Sequence, residues 1–136
     1  MAEAWTRHLK GNCIEPFSAG LAPAGLHPMV RQVMGEVGVE MGGQRSKGVW
    51  EFRGVELDYV VSLSAKVREW LGELGRVGRY VHRRFEDPLV LAAGARSQQQ
   101  ALEHYRRIRE EIRAFVEQLP AIAEQLPPFH PTGPIR

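Results

Sequence analysis

The pair Asp87-Pro88 is the first place in this chain where a reactive side chain meets a constraining neighbour. Proline restricts the residue before it to extended backbone, so the Asp87 carboxylate is held in a fixed direction. A carboxyl fixed in this way can act as a general acid. Asp-Pro is also a common turn-former in loops, and read alone Asp87 is that turn. Glu86 would oppose a second charge beside it if both faced one pocket, but strand alternation turns it away. The single cysteine, Cys13, excludes an internal disulfide and any multi-cysteine metal site. It reads as a small apolar residue at a strand edge. Arg76, Arg79, Arg83 and Arg84 gather around His82 and read as a solvated basic face. His82 reads equally as a catalytic group and as a loop residue packing on Trp70 or Tyr80. Ser18 and Asp58 read as caps of strand ends.

These residues have to be positioned by helices that alternate with short strands. Residues 2–9 are patterned as an amphipathic helix without an N-cap in front, and Cys13 to Ala19 follow as a short strand closed by Gly20. Pro28 suits the first turn of a second helix, where its missing N–H costs nothing. Met29, Val30, Val33, Met34 and Val37 continue that helix to Gly38. Val49 to Phe52 fit a single helical turn. Tyr59-Val60-Val61-Ser62-Leu63 is a nearly apolar strand suited to a sheet covered on both faces. Ala65 to Leu74 are helical in pattern, Arg79 to His82 form another short strand, and Arg84 to Arg96 read as a loop. Ser97 and Gln100 then make a capping box. Leu102, Tyr105, Ile108, Ile112, Phe115, Val116 and Leu119 trace one apolar stripe, with Arg106, Arg107, Arg109, Glu110, Glu111 and Arg113 facing water. Pro120 ends this helix, and the Pro-rich tail of residues 120–136 is expected to be mobile. The alternation points to an α/β fold built on a short parallel sheet.

A chain of 136 residues falls within the size of one domain, here residues 1–119. Its 43% hydrophobic and 25% charged content is ordinary for a globular protein. A formal net charge of +2 is too small to argue for nucleic acid. The apolar stretch around Pro88 to Ala95 is far short of the roughly 20 residues that span a bilayer. The N-terminus has no long apolar h-region of a signal peptide, so a cytoplasmic protein is expected.

In order along the chain stand Met1-Ala-Glu-Ala-Trp5, Phe17-Ser18-Ala19-Gly20, Gly38-Val39-Glu40 with Gln44-Arg45-Ser46-Lys47, Leu57-Asp58-Tyr59-Val60-Val61, His82 with Phe85-Glu86-Asp87-Pro88, and Ile108 to Arg113. Together these strings resemble the thioredoxin-coupled arsenate reductases of the low-molecular-weight tyrosine-phosphatase superfamily. The resemblance covers about residues 1 to 119. It implies a three-layer α/β sandwich with a short parallel sheet, and chemistry on a phosphate or arsenate oxyanion. In that chemistry a cysteine thiolate in a phosphate-binding loop attacks the oxyanion, an arginine grips it, and an aspartic acid protonates the leaving oxygen. By resemblance Asp87 is that general acid. No metal and no cofactor are implied.

The chain departs from the family pattern in two places. The first strand, the nucleophilic cysteine and the anion-binding arginine would all precede Met1, so the expected sheet lacks its first strand. The two relay cysteines, which in the family carry oxidation to a disulfide reduced by thioredoxin, match Ser64 and Leu71. These positions are expected to be non-functional as a relay, and thioredoxin is not an expected partner. Nucleic acid and membrane are likewise excluded as partners. Loss of an inner strand would leave neighbouring backbone groups unpaired, so the gap closes, a second copy fills it, or water enters and the first helix with its strand is loosely held; a homodimer is thus one expectation. Two readings follow: an arsenate reductase- or phosphatase-like protein whose full-length form acts by thiolate chemistry, inactive as this chain stands, or a shortened non-catalytic binding or assembly module.

Overall fold

The computed structural model describes residues 1–20, 27–41, 47–64, 69–72 and 74–129. Their element order is α1 (Ala2–Lys10), α2 (Pro28–Glu36), a 3-10 turn (Val49–Phe52), β1 (Leu57–Ser62), β2 (Val77–His82), α3 (Pro88–Ala93), α4 (Gln98–Glu117) and α5 (Ala121–Glu124). The fold is α/β with a short parallel sheet of two strands. The chain divides into two compact units.

The first unit comprises Met1–Ser18, Ala24–Ser46 and Phe85–Glu117. Its centre is α4, whose buried positions Ala101, Leu102, Tyr105, Ile108, Ile112, Phe115 and Val116 follow the helical period. Ser97 starts this helix by accepting the Gln100 N–H at 3.1 Å. The return half of the expected capping box shifts by one residue, because the Gln100 side chain accepts from the Arg96 N–H at 2.6 Å. Helix α1 buries Ala4 and Trp5 in one cluster with Ile108, Ile112, Val116 and Met34. Trp5 is 2% exposed, and its indole N–H donates to the Arg109 carbonyl at 3.1 Å. The Arg113 guanidinium lies over the same ring, 5.3 Å from its centroid.

Arg109 does not face water as its position beside Glu110 and Glu111 suggests. Its side chain is 11% exposed and donates to the Val33 carbonyl at 2.8 Å and to Glu36 at 2.9 Å. Glu36 also receives a forked pair from Arg106, with the shortest contact at 2.7 Å. Helix α2 begins as its sequence predicts, with Pro28 in its first turn, and His27 Nδ1 accepts the Met29 N–H. Its C-terminal stop is Gly38, at φ +76°, a conformation that a side chain would strain.

The second unit comprises Ala19–Pro23, Lys47–Arg84 and Gln118–Arg136. Strands β1 and β2 run parallel with Leu57 opposite Val77, Val60 opposite Tyr80 and Ser62 opposite His82. Gly78 is where the two backbones come closest: a Cβ there would lie 2.6 Å from the Asp58 carbonyl oxygen.

Three expectations are corrected by the structure. Residues 13–19 form no strand: a turn ends at Cys13, and the only ladder contact nearby among the described residues is an isolated bridge between Gly20 and Gly48. Pro16 offers no N–H, and the segment has only Ile14 to supply β-branching. Residues 84–96 are not all loop, because Asp87 and Pro88 act as N-cap and first helical residue of α3. The tail is ordered through Phe129: α5 forms after Pro120, Arg79 donates to the Leu126 carbonyl, and the Phe129 N–H donates to the Gly78 carbonyl at 2.8 Å. Residues 130–136 lie outside the described residues, as does much of the helix expected over 65–74, where Glu69 to Gly72 form a 3-10 turn.

Two measurements test this architecture. Trp5→Phe keeps most of the apolar contact but orphans the Arg109 carbonyl, and should lower unfolding stability by about 1–3 kcal/mol. Urea unfolding would show this as a lower midpoint at an unchanged slope. The hydrogen bond from Arg106, aided by Arg109, holds the Glu36 carboxyl below the usual glutamate range. A depressed folded pKa adds stability above about pH 4.3, the ordinary glutamate value, and that gain fades as pH falls through the folded pKa. The stability gap between the wild type and Glu36→Gln should therefore be widest near neutrality and close in acid. A gap that widens below pH 4 would refute the assignment.

Candidate functional site

Parallel sheets bind their ligands at the carboxyl ends of the strands. In the second unit these ends are Ser62 and His82, paired across the ladder, and the Arg83 N–H extends the pairing to the Ser62 carbonyl at 2.9 Å. Tyr80 and His82, two residues apart on one strand, point to the same face. On that face the Ser62 hydroxyl lies 2.6 Å from the Tyr80 hydroxyl and 2.5 Å from His82 Nδ1. Ser62 is 1% exposed and Tyr80 is buried, while His82 reaches solvent. A buried hydroxyl saturated by two partners is no nucleophile for an external substrate, so the histidine is the group that a ligand can reach. His82 is therefore no loop residue; it ends β2 and is held through Ser62, which also bonds Tyr80.

The two relay-matched positions lie apart: Ser64 follows the end of β1, and Leu71 lines the cleft at the amino ends of the strands. Ser64 is exposed and Leu71 is 3% exposed within the second unit. The basic residues are mostly exposed, as a solvated face requires. Arg76 is paired loosely with Glu56 at 3.9 Å, Arg79 is committed to the Leu126 carbonyl, and Arg84 is exposed. Asp58 sits exposed within β1 rather than capping its end. A cleft of about 510 Å³ opens at the opposite, amino ends of the strands, lined by Leu57, Asp58, Val77, Gly78 and Phe129. Its place at the amino ends argues against it as the ligand site.

In the first unit Asp87 is exposed and its Oδ1 accepts the Leu89 N–H at 2.9 Å. The cap uses one oxygen, and Oδ2 has no partner among the described residues, so the turn and acid roles are compatible in one side chain. Tyr105 on α4 is buried with its hydroxyl unpartnered among the described residues. Burial pushes this phenol up, and the Asp87 carboxylate adds to the effect. Glu86 turns away and pairs with Arg107 at 3.2 Å. Ser18 donates to the buried Glu3 at 2.8 Å, which also pairs with Arg7, rather than capping a strand. Cys13 is exposed in the turn after α1, not packed at a strand edge. No group of three or more metal-ligating side chains occurs among the described residues, and no helix among them is long and apolar enough to cross a membrane.

No family model matches the chain. It is 29% identical over 112 residues to an arsenate reductase of Halalkalibacterium halodurans, covering 82% of this chain and 78% of that protein. The arsenate reductase of Bacillus subtilis is also 29% identical over 112 residues, with the same coverage of 82% and 78%. A glutaredoxin arsenate reductase of Synechocystis is 35% identical over 63 residues, 46% of this chain and 48% of that protein. Among solved structures, an arsenate reductase in the phosphate binding state superposes with a TM-score of 0.67 at 28% identity, covering 90% of this chain and 86% of the other. One in the reduced state gives a TM-score of 0.66 at 28% identity, covering 89% and 86%. Sequence and structure thus agree along nearly the whole chain in their likeness to arsenate reductases, which supports the superfamily with a low-molecular-weight phosphatase-like fold.

Proposed function

We propose that this protein is an arsenate reductase-like member of its superfamily whose ligand is a tetrahedral oxyanion, arsenate or phosphate, and that these 136 residues alone do not turn it over. The observation that carries the oxyanion reading is the likeness, over 90% of the chain, to an arsenate reductase in the phosphate binding state. Asp87 is the proposed general acid: Oδ1 is used in capping α3, which leaves Oδ2 to deliver a proton to a leaving oxygen.

The proposed lack of turnover rests on side-chain chemistry. Thiolate attack needs a cysteine activated at an anion-binding loop, and the one thiol here, Cys13, sits exposed in a turn after the C-terminal end of α1. The relay-matched positions hold a hydroxyl at Ser64 and a buried aliphatic side chain at Leu71, so neither can carry oxidation to a disulfide. Buried Leu71 also favours a second reading, a non-catalytic family member that binds an oxyanion without reducing it.

Asp87 gives a test that separates its two roles. Asp87→Ala should lose about 1 kcal/mol of stability with the cap, whereas Asp87→Asn keeps an acceptor and should lose much less. Neither variant nor the wild type should hydrolyse p-nitrophenyl phosphate or reduce arsenate with thioredoxin present. Wild-type turnover that Asp87→Asn abolishes would overturn the proposed inactivity.

A further inference from the structure

We propose that Tyr80 and Ser62 lock His82 in its Nε2–H tautomer, and so hold a directed hydrogen-bond donor at the carboxyl end of the sheet for an oxygen of arsenate or phosphate. The ligand class rests on the proposed oxyanion function; the tautomer rests only on the geometry of three side chains.

That geometry leaves little choice of proton placement. Ser62 Oγ has one hydrogen and two close neighbours, the Tyr80 hydroxyl at 2.6 Å and His82 Nδ1 at 2.5 Å. Among the described residues none of the three side chains has another hydrogen-bond partner. In one arrangement Tyr80 donates to Ser62 and Ser62 donates to Nδ1, so every buried hydrogen is used and the imidazole proton sits on Nε2. In the reverse arrangement Nδ1–H donates to Ser62 and Ser62 donates to Tyr80. The Tyr80 proton then has no acceptor in the protein interior, where an unmet donor is costly. The first arrangement is favoured for that reason.

Backbone pairing makes the lock rigid. Ser62 and His82 are opposite each other in the ladder, and the Arg83 N–H bonds the Ser62 carbonyl at 2.9 Å. Neither strand end can move without breaking this pairing. The outward nitrogen is therefore presented in a fixed direction from an exposed residue. The unprotonated oxygens of an oxyanion are acceptors, and a fixed N–H donor complements one of them. Ser62 and Tyr80 are positioning residues, acting through His82.

Heteronuclear NMR of the ¹⁵N-labelled chain reads the tautomer directly, and titration with inorganic phosphate reads the ligand contact. The expected result is an Nε2–H pattern for His82 in the wild type. Tyr80→Phe and Ser62→Ala should each shift it toward a tautomer mixture while the amide spectrum stays folded. Phosphate should then move His82 Nε2 saturably, and His82→Ala should raise the phosphate Kd by about tenfold, the size of one hydrogen bond to a charged group. An Nδ1–H pattern in the wild type, or a tautomer unchanged in both variants, would overturn the lock. Saturable phosphate shifts elsewhere with His82 unmoved would overturn the ligand role and leave the oxyanion function standing. No saturable shift anywhere would overturn both.

Discussion

Burial of Trp5 against α4 is the contact on which the first unit depends. A helix of nine residues such as α1 has little stability of its own in water, because nucleation costs more than a few hydrogen bonds return. Its persistence requires an apolar face seated on a partner, and Trp5 supplies the largest side chain of that face. The indole sits among Ile108, Ile112 and Val116, its N–H meets the Arg109 carbonyl, and Arg113 closes over the ring. Apolar area, a satisfied donor and a cation against a π face thus converge on one side chain. Met34 of α2 joins the same cluster, so the packing of α2 follows from the same site.

The long-period features of this fold were readable before any coordinates, and the short-period ones were not. Helix α4 repeats its apolar residues over five turns, and a pattern of that length leaves no competing reading. Helix α2 carries both of its boundary signals, Pro28 and Gly38. By contrast α3 is six residues long, and its start signal, Asp87-Pro88, is identical to that of a turn. Only tertiary packing on α4 decides between the two. The segment at residues 13–19 failed for the opposite reason: a few apolar residues suggested a strand, but strand formation depends on ladder partners that lie elsewhere in the sequence. Arg109 was assigned to solvent with its charged neighbours, although a residue one position after Ile108 lies at the margin of the buried stripe, where a long stem can reach a carbonyl on α2.

The candidate site divides in the same way. Asp87 could be singled out because proline constrains its neighbour, and His82 because it stood among arginines. Ser62 and Tyr80 gave no such signal. Ser62 sits within an apolar strand, where a hydroxyl passes for a tolerated substitution, and its two partners are 18 and 20 residues away. The available cue was the spacing of Tyr80 and His82 on one strand face, joined to the register that sets Ser62 opposite His82. Register is a property of two strands together and cannot be read from either one. The basic residues show the converse, since Arg79 bonds the tail while Arg76 stays largely exposed beside Glu56.

Arg109 bonds to three helices at once. Its carbonyl accepts from Trp5 of α1, its guanidinium donates to Val33 and Glu36 of α2, and its own backbone belongs to α4. Opening α1 or α2 separately would leave polar groups of this residue without partners in a partly dry environment, so neither helix can detach at the small cost typical of a peripheral element. The first unit is in this sense expected to open as one foldon, with the persistence of α1 set by the whole unit rather than by its own nine residues.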